Sequence, residues 1–279
     1  MSKKKSLIIA LKSYHFRRSR GFMRLDRYLV DIGKFDSRQK AQEAIRAGRV
    51  MLGGKVVQKP SFEIVDSGLD GDESAADGLE SRLAVEISGE EFVSRAGRKL
   101  QGFLEECKRQ GVARAWDSAI DVGAARGGFT QVLLRYGVKH ICCVDVGSNQ
   151  LHPTIAKDSR VEVFEQCDIR DFVRRYARRF DVAVCDVSFI SIRHIIDDLC
   201  RLSSELIVLF KPQFEVGRGI KRSKRGVVQD SGAIDSSMQE VIVMIENRGF
   251  CVRLVAESSV KGKEGNAEFF IYACRESCS

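Results

Sequence analysis

The sequence predicts an α/β protein in which a mainly parallel sheet, covered by helices on both faces, follows a small α+β module. From about residue 92 onward, apolar strand-like runs alternate with helical stretches, which is the pattern of a parallel sheet buried on both faces. Residues 68–93 carry eight acidic residues and one basic residue, so they predict a solvated linker between two units. The 279 residues are enough for one domain of ordinary size and one small domain.

Residues 23–67 predict two short helices followed by a hairpin. Apolar residues at helical spacing define the first helix, and Gly33 suits its C-terminal end. Ser37 is a suitable N-cap for a second helix, which stops at Gly48. Gly53-Gly54 then suits a tight turn between two short strands.

The second unit contains five apolar runs that predict parallel strands, and two more runs near the C-terminus. The five runs are SAIDVG, HICCVDVG, VEVFEQCD, FDVAVCDVS and ELIVLFKPQ. The last two runs, CVRLVAESSV and NAEFFIYACRE, are joined by a short loop that leaves no room for a helical crossover. We therefore expect this C-terminal pair to be antiparallel.

The net charge of +8 is distributed unevenly, because residues 1–22 carry seven basic residues and no acidic one. Basic, acidic and basic blocks favour a protein whose N-terminus faces nucleic acid, although a soluble basic protein with an unpatterned tail has the same charges. No apolar run approaches the roughly 18 residues needed to span a bilayer. The N-terminal run LIIAL is shorter than a signal-peptide core, so we expect a cytoplasmic protein.

The nine cysteines predict reduced, mostly buried thiols. They include no C-x-x-C pair and no Cys/His cluster with zinc spacing. Several of them lie inside the apolar strand runs. We therefore expect neither a disulfide framework nor a metal site.

A glycine-bearing turn follows the first strand of the second unit and opens a helix. Asp121 is followed by Gly123, Gly127 and Gly128 in the spacing G-x-x-x-G-G. Glycines at such a turn allow backbone N–H groups to approach a ligand closely. The spacing differs from the G-x-G-x-x-G of dinucleotide sites, which argues against a pyrophosphate cradle. An ordinary tight turn between strand and helix remains the alternative.

Two aspartates follow the next two strand runs, at the sheet edge where doubly wound folds bind ligands. Asp145 can hold two ribose hydroxyls, and Asp168 can accept a hydrogen bond from an adenine amino group. A helix N-cap is the alternative role for Asp145. Together with the glycine turn, the two carboxylates favour a ligand with a ribose and an adenine and no demanding phosphate site. S-adenosylmethionine fits that description.

The motifs of the chain resemble those of the TlyA family. The sequence contains D-V-G-x-x-x-G-G-F-T, then D-V-G-x-x-Q-L, D-V-S-F-I-S and K-P-Q-F-E. Members of this family are S4-domain ribosomal RNA 2′-O-methyltransferases with an FtsJ-like catalytic domain, and haemolysin is an older name for them. The resemblance covers roughly residues 23–275. The sequence departs from it at Gly53, where S4 domains usually have Asn, and in the acidic stretch 69–80, which looks inserted.

The resemblance implies a domain order and a set of RNA-binding residues. It implies an S4-like RNA-binding domain (23–67) and an FtsJ-like methyltransferase domain (92–279), and composition adds a basic extension (1–22) and an acidic linker (68–91). In the S4-like domain the implied RNA-binding residues are Arg24, Arg27, Ser37, Arg38, Arg49 and Lys55. The loop 217–226 resembles a mobile flap that grips phosphate through Arg218, Lys221, Arg222, Lys224 and Arg225. A plain disordered loop is the alternative for this segment.

The resemblance also implies a catalytic tetrad around a ribose 2′-hydroxyl. Its members here are Lys99, Asp186, Lys211 and Glu268. Lys211 is expected to accept the hydroxyl proton or, alternatively, to steer the hydroxyl oxygen. The two carboxylates are expected to orient the lysines. Structural ion pairs are the alternative explanation for one or two of the four.

The implied cofactor is S-adenosylmethionine. Its expected contacts are Asp121, Gly123, Gly127, Gly128, Phe129, Asp145 and Asp168. Phe129, Phe189 and Phe214 lie near the motifs, where aromatic rings can stack on a flipped base. Packing in the core is the simpler expectation for all three.

These observations predict a cytoplasmic, monomeric enzyme that methylates a ribose 2′-hydroxyl of ribosomal RNA. The resemblance implies a cytidine as the target and ribosomal RNA or a ribosomal subunit as the partner, with no membrane and no metal. One alternative is a non-catalytic RNA-binding or ribosome-assembly protein. A membrane-lytic haemolysin is a second alternative, but the sequence shows no amphipathic membrane helix that would support it.

Overall fold

The protein is described by a computed structural model that covers residues 22–65, 85–87, 92–217 and 219–275. Most of the predicted N-terminal extension, most of the acidic linker and Arg218 lie outside the described residues. The chain divides into two compact units, residues 1–91 and 92–279. Each unit is described by itself.

Within its described residues, 22–65 and 85–87, the first unit has two helices and five short strands. In chain order they are β1 (Phe22–Arg24), α1 (Leu25–Asp31), α2 (Arg38–Arg46), β2 (Val50–Leu52), β3 (Lys55–Val56), β4 (Glu63–Val65) and β5 (Val85–Ile87). Strands β1 and β4 pair antiparallel, and β2 lies between β3 and β5. The predicted helices and hairpin are present, and Ser37 Oγ caps α2 by accepting from the Lys40 amide at 3.3 Å.

The core of this unit lies between its helices and strands. Leu25 and Leu29 share a face of α1, one turn apart, and Ala41, Ala44 and Ile45 line the facing side of α2. The β1–β4 pair was not predicted, because its strands have three residues each and leave too little alternation to recognise.

The second unit alternates strands and helices. Its elements are α3 (Arg95–Arg109), β6 (Ser118–Val122), α4 (Gly128–Arg135), β7 (His140–Val144), α5 (Pro153–Ala156), β8 (Val161–Phe164), α6 (Ile169–Arg175), β9 (Phe180–Cys185), α7 (Ile196–Leu202), β10 (Ser203–Phe210), α8 (Pro212–Glu215), α9 (Ser231–Glu246), β11 (Phe250–Glu257) and β12 (Phe269–Arg275). A short 3-10 helix, Ile192–His194, precedes α7.

The strands form one seven-stranded sheet in the order β11-β12-β10-β9-β6-β7-β8. Strand β12 is antiparallel to both of its neighbours, and the other adjacent pairs are parallel. Separate apolar clusters cover the two faces of the sheet. The predicted α/β class and the antiparallel C-terminal strand are therefore confirmed.

The register of the sheet places the polar residues that follow the strands. Val122 pairs with Val144 on one side and with Cys185 on the other, so Gly123, Asp145 and Asp186 leave the sheet side by side. Phe210 pairs with Phe269. Lys211 directly follows β10 and Glu268 directly precedes β12, so this pairing brings both residues to the same edge. Strand β8 is shorter than predicted, and Asp168 instead caps α6 by accepting from the Arg170 amide at 2.8 Å.

The cysteines within the described residues are free thiols, and most of them are buried. Burial raises the pKa of Cys107 to about 11 and that of Cys185 to about 12. Such thiols are poor nucleophiles near neutral pH. In the part of the chain that the structure describes, no helix is both long and apolar enough to cross a membrane.

Candidate active site

A cavity of about 560 Å³ opens at the carboxyl edge of the sheet. It lies over the ends of β6, β7 and β9, where ligands bind in doubly wound folds. Of the residues expected to contact the cofactor, Gly123, Asp145 and Asp168 line this cavity. Asp186 and Ser188 form part of the same wall.

Gly123 is a position where the backbone needs glycine. Its φ of 81° is in the left-handed region, and a Cβ there would lie 2.9 Å from the Asp186 carbonyl oxygen. A side chain would therefore be strained and would separate β6 from β9 at the cavity floor. Gly127, with φ 81°, immediately precedes α4, and a Cβ on it would meet Leu151 at 2.8 Å.

Gly128 permits the close packing of α4 against α3 and does not line the cavity. A Cβ on Gly128 would lie 2.2 Å from Ser94 Oγ and 2.8 Å from the Gly97 amide nitrogen. Phe129, the next residue, is also directed into the core, where its ring centroid lies 6.0 Å from that of Phe270. The Phe129 side chain therefore does not line the cavity, because this turn of α4 faces the sheet.

Asp121 is fully buried beneath the turn and does not line the cavity either. Its Oδ2 accepts hydrogen bonds from the Thr130 amide at 2.9 Å and from Thr130 Oγ1 at 2.6 Å. Burial raises the pKa of Asp121 to about 7, and the hydrogen bonds from Thr130 oppose that rise. The residue ties α4 to β6 and so holds the glycine turn in place.

Asp145 connects the two loops that border the cavity. Its Oδ2 accepts from the Ala125 amide at 2.8 Å, and its Oδ1 accepts from the Gly147 amide at 2.7 Å. Glu165 holds the rest of the second loop by accepting from three successive backbone amides, which lower its pKa. Asp168 also lines the cavity, and the hydrogen-bonded Arg170 guanidinium lowers its pKa.

The four predicted tetrad residues come together as two ion pairs. Lys99 Nζ lies 2.5 Å from Glu268 Oε2, and Lys211 Nζ lies 2.6 Å from Asp186 Oδ1. The side chains of Lys99 and Lys211 are 9 % exposed and that of Glu268 is 3 % exposed. Removing such ions from water costs several kcal/mol each unless partners compensate, so the paired arrangement is what makes this cluster tolerable in the fold.

Local packing explains why Lys99 reaches Glu268. Phe103 follows Lys99 by one helical turn, and Phe270 comes two residues after Glu268, which immediately precedes β12. The rings of Phe103 and Phe270 stack with their centroids 4.5 Å apart. The aromatic contact therefore fixes α3 over β12 and aligns the lysine with the carboxylate.

Two further side chains of the site were missed at the level of sequence. Ser188 Oγ accepts from Lys211 Nζ at 2.8 Å, and Gln213 Nε2 donates to Glu268 Oε1 at 3.4 Å. Both residues lie within motif segments already noted, D-V-S-F and K-P-Q-F. A polar side chain inside each of these motif segments was the signal that could have identified them as site residues.

Phe189 differs from the expectation of core packing. It is 92 % exposed, lines the cavity and has a φ of 68°. Its ring centroid lies 5.4 Å from that of Phe214. Positive φ in a bulky residue is strained backbone of the kind found at functional sites, and here it displays an aromatic face beside the cavity.

In its described residues the predicted flap contains a hydrogen-bonded turn. The Ser223 amide donates to the Val227 carbonyl at 2.8 Å. Arg222 uses its guanidinium to hold the chain, donating to the carbonyls of Val216 at 3.3 Å and Ile220 at 3.1 Å. Lys221, Lys224 and Arg225 are exposed.

In the first unit, several residues expected to bind RNA also hold the fold. The buried Asp26 carboxylate accepts from Arg24 and Arg38 at 3.0 and 3.1 Å. These contacts hold the pKa of Asp26 well below its usual range, and the hydrogen bond from Arg24 has the largest effect. Both arginines keep about half of their side-chain surface exposed. Arg27 lies 3.7 Å from Asp31, Ser37 is the α2 cap, Arg49 is partly buried and Lys55 is exposed.

One polar cluster lies away from the cavity, on β7 and β8. His140, Cys142 and Glu162 place possible metal-ligating atoms within 4.8 Å of one another. Sequence spacing did not reveal this group, because Glu162 comes from the neighbouring strand and pairs with Cys142 across it. The Arg178 guanidinium already contacts Glu162 and lies 3.5 Å from the Cys142 sulfur, so the group has a cationic partner within the chain.

Comparison with known proteins identifies two family models in the chain. The FtsJ-like methyltransferase model matches residues 92–275, and the S4 domain model matches residues 23–67. A 23S rRNA (cytidine-2′-O)-methyltransferase TlyA of Campylobacter jejuni is 37 % identical over 243 residues, which is 85 % of this chain and 93 % of that protein. A 16S/23S rRNA (cytidine-2′-O)-methyltransferase TlyA of Mycobacterium tuberculosis is 34 % identical over 89 % of this chain and 88 % of its own length. A solved structure from Streptococcus thermophilus, described under a hemolysin name, has a TM-score of 0.62 at 30 % identity and covers 93 % of this chain and 90 % of its own.

Proposed function

Because the chain belongs to the FtsJ-like methyltransferase family and carries an S4 domain ahead of the catalytic unit, we propose that it methylates the 2′-hydroxyl of a cytidine ribose in ribosomal RNA. The methyl donor is S-adenosylmethionine, and the enzyme works in the cytoplasm. The observation that carries the proposal is the position of the Lys211–Asp186 pair, whose carboxylate forms part of the cavity wall. The names of the relatives support the choice of ribosomal RNA and of cytidine.

The cavity suits the proposed donor in size and in chemistry. Its volume of about 560 Å³ is typical of pockets for molecules of this size. Asp145 and Asp168 line it with carboxylate oxygens that can accept from ribose hydroxyls and an amino group. Bound there, S-adenosylmethionine supplies an activated methyl group on a sulfonium sulfur. In this proposal Asp121, Gly127 and Gly128 shape the site from behind without contacting the donor.

Lys211 is proposed to hold the reacting ribose oxygen. An ammonium group has three N–H donors, and here one faces Asp186 and another faces Ser188 Oγ. The third can donate to the 2′-hydroxyl oxygen and oppose the negative charge that grows on it. As the new O–CH₃ bond forms and the methyl–sulfur bond breaks, the hydroxyl proton passes to the Asp186 carboxylate, because the Lys211 ammonium already carries three protons and has no acceptor.

The second ion pair is proposed to place the ribose from the other side. Glu268 is held by Lys99 and Gln213, so its carboxylate is fixed before RNA arrives. Methyl transfer is an in-line displacement, and its rate depends strongly on how well the two reacting atoms are aligned. Buried and mutually bonded side chains meet that requirement better than flexible surface groups.

The proposal assigns RNA binding to three places on the chain. The S4 domain contributes Arg24, Arg27, Arg38 and Lys55 as exposed cations, and the turn after α8 contributes Lys221, Lys224 and Arg225. Phe189 offers an exposed ring beside the cavity, on which the base of the target nucleotide can stack.

The direct test is to identify the product. Purified protein is incubated with unmodified ribosomal RNA and methyl-labelled S-adenosylmethionine, and the RNA is digested and analysed by mass spectrometry. We expect a 2′-O-methylcytidine. RNA labelled on a base, or no label with a folded protein that binds the cofactor, contradicts the proposal.

A further inference from the structure

The loop that leads into Glu268 carries two lysines that neither motif nor resemblance assigns. Lys261 and Lys263 are exposed and flank Gly262. A Cβ on Gly262 would lie 2.5 Å from Glu268 Oε1, so the backbone of this loop lies against the carboxylate of the tetrad. Each lysine is therefore one residue away from the wall of the reactive cluster.

Asn266 joins this loop to the basic turn after α8. Its side chain is buried, with a relative exposure of 4 %. Its Oδ1 accepts from the Val228 amide at 2.9 Å, and its Nδ2 donates to the Gly226 carbonyl at 3.4 Å. Its own carbonyl accepts from the Gly262 amide at 2.9 Å. One asparagine thus holds residues 221–229 and residues 258–266 together, and we call these two segments the clamped rim.

The clamped rim is strongly basic, and its cations are available. Lys221, Lys224, Arg225, Lys261 and Lys263 are all exposed. Within the part of the chain that the structure describes, none of these five side chains has an ion-pair or hydrogen-bond partner. The exposed acidic group among them is Glu264, so the rim keeps a large positive excess next to the site.

We propose that the clamped rim is a single phosphate-binding surface that grips the RNA backbone beside the target ribose. The inference rests on the proposed function and adds Lys261, Lys263 and Asn266 to it. Unpaired lysines on glycine-bearing loops contact phosphates without distinguishing the nucleotide sequence. This suits a surface that holds the RNA strand while the active site selects the ribose. Because Gly262 lies against Glu268, the loop that carries the two phosphate-binding lysines also packs against the carboxylate of the tetrad.

The test measures RNA binding by the full-length protein at several KCl concentrations, with unmodified ribosomal RNA transcribed in vitro as the probe. The double variant Lys261→Ala/Lys263→Ala is compared with wild type. Each lost phosphate contact lowers the slope of log Kd against log[KCl] by about 0.7 to 0.9, so we expect a decrease of about 1.4 to 1.8. We also expect binding about tenfold weaker at low salt and unchanged affinity for S-adenosylmethionine.

The matched control removes the same charge elsewhere. Arg109→Ala/Lys139→Ala takes two exposed cations from the last residue of α3 and the residue before β7, away from the carboxyl ends of the strands, and should keep the wild-type slope. An unchanged slope in the Lys261→Ala/Lys263→Ala protein, or an equal decrease in the control, overturns the inference. Failure of the wild-type protein to methylate RNA refutes the proposed function instead, so the two failures are distinguishable.

Asn266→Ala tests the clamp while all five cations remain. We expect faster hydrogen exchange at the Val228 amide and a lower salt slope, because the two segments separate. A folded variant with faster exchange and a full slope shows that the segments bind RNA independently and overturns the role of Asn266. If the variant does not fold, the two lysines decide the inference by themselves.

Discussion

Breaking the Lys99–Glu268 pair should destabilise the fold strongly, even though both residues are proposed to serve the reaction. The two charged groups are 2.5 Å apart, and their side chains are 9 % and 3 % exposed. Glu268→Gln leaves the Lys99 ammonium in a site with little water, and breaking a buried pair in this way costs about 3–5 kcal/mol. The remaining hydrogen bond to Gln213 is neutral and cannot compensate for a buried charge.

Urea denaturation followed by circular dichroism measures this loss as a decrease in the free energy of unfolding. Lys99→Met should cost a similar amount, because it leaves the Glu268 carboxylate unpaired. The double variant should cost clearly less than the sum of the two, because neither charge is then buried alone. The exposed pair Lys139–Asp117, with both side chains 76 % exposed, provides the control, and Lys139→Met should leave the free energy of unfolding close to that of wild type. If the single variants at Lys99 and Glu268 lower the free energy of unfolding no more than this control does, the reasoning is refuted. Water would then be compensating the unpaired ammonium and carboxylate groups.

Three further predictions concern the cavity and the division of the chain. Gly123→Ala places a Cβ 2.9 Å from the Asp186 carbonyl oxygen at a φ of 81°. It should lower the free energy of unfolding by about 1–2 kcal/mol and weaken S-adenosylmethionine binding in calorimetry. Normal affinity for S-adenosylmethionine would show that this turn is not part of the cofactor site. The pKa of Asp121 is raised to about 7, so its contribution to stability is present below about pH 4 and is lost as the pH rises through about 7. In urea denaturation, the free energy of unfolding of Asp121→Asn relative to wild type should therefore be higher at pH 8 than at pH 5. The same difference between the two proteins at both pH values would refute the raised pKa. A protein beginning at Phe92, where the second compact unit starts, should keep cofactor affinity and lose most RNA affinity in filter binding, and full RNA affinity would show that the S4 domain is not the main binding element.

The sequence predicted the sheet and the tetrad because both leave local signals. Continuous apolar runs separated by helices indicate a parallel sheet, and the short loop before β12 required an antiparallel return. The tetrad residues follow strands or begin a helix in motif segments, so resemblance could assign them. Their pairing into Lys99–Glu268 and Lys211–Asp186 needed the register of β10 with β12 and the stacking of Phe103 on Phe270.

The features that sequence did not predict depend on backbone geometry or on contacts between distant segments. Phe129 and Phe189 are both aromatic residues in motifs, yet one is buried and the other is 92 % exposed. The difference comes from a helix face in one case and a positive φ in the other, and neither can be read from composition. Asp168 was placed at the end of a strand that in fact stops at Phe164. The clamp through Asn266 spans 38 residues of sequence and leaves no local pattern.

Single-turnover methyl transfer by Lys211 variants tests the central claim most directly. The assay uses saturating ribosomal RNA and methyl-labelled S-adenosylmethionine, with circular dichroism to show that each protein is folded and calorimetry to measure cofactor binding. Lys211→Ala should slow transfer by about 10²–10⁴-fold and leave cofactor affinity nearly unchanged, because the interactions of Lys211 matter in the transition state. Lys211→Arg should recover little, since a planar guanidinium cannot direct three donors from a single nitrogen to Asp186, Ser188 and the hydroxyl oxygen. Near-normal turnover by a folded Lys211→Ala protein would contradict the assignment of the reacting oxygen to the Lys211–Asp186 pair.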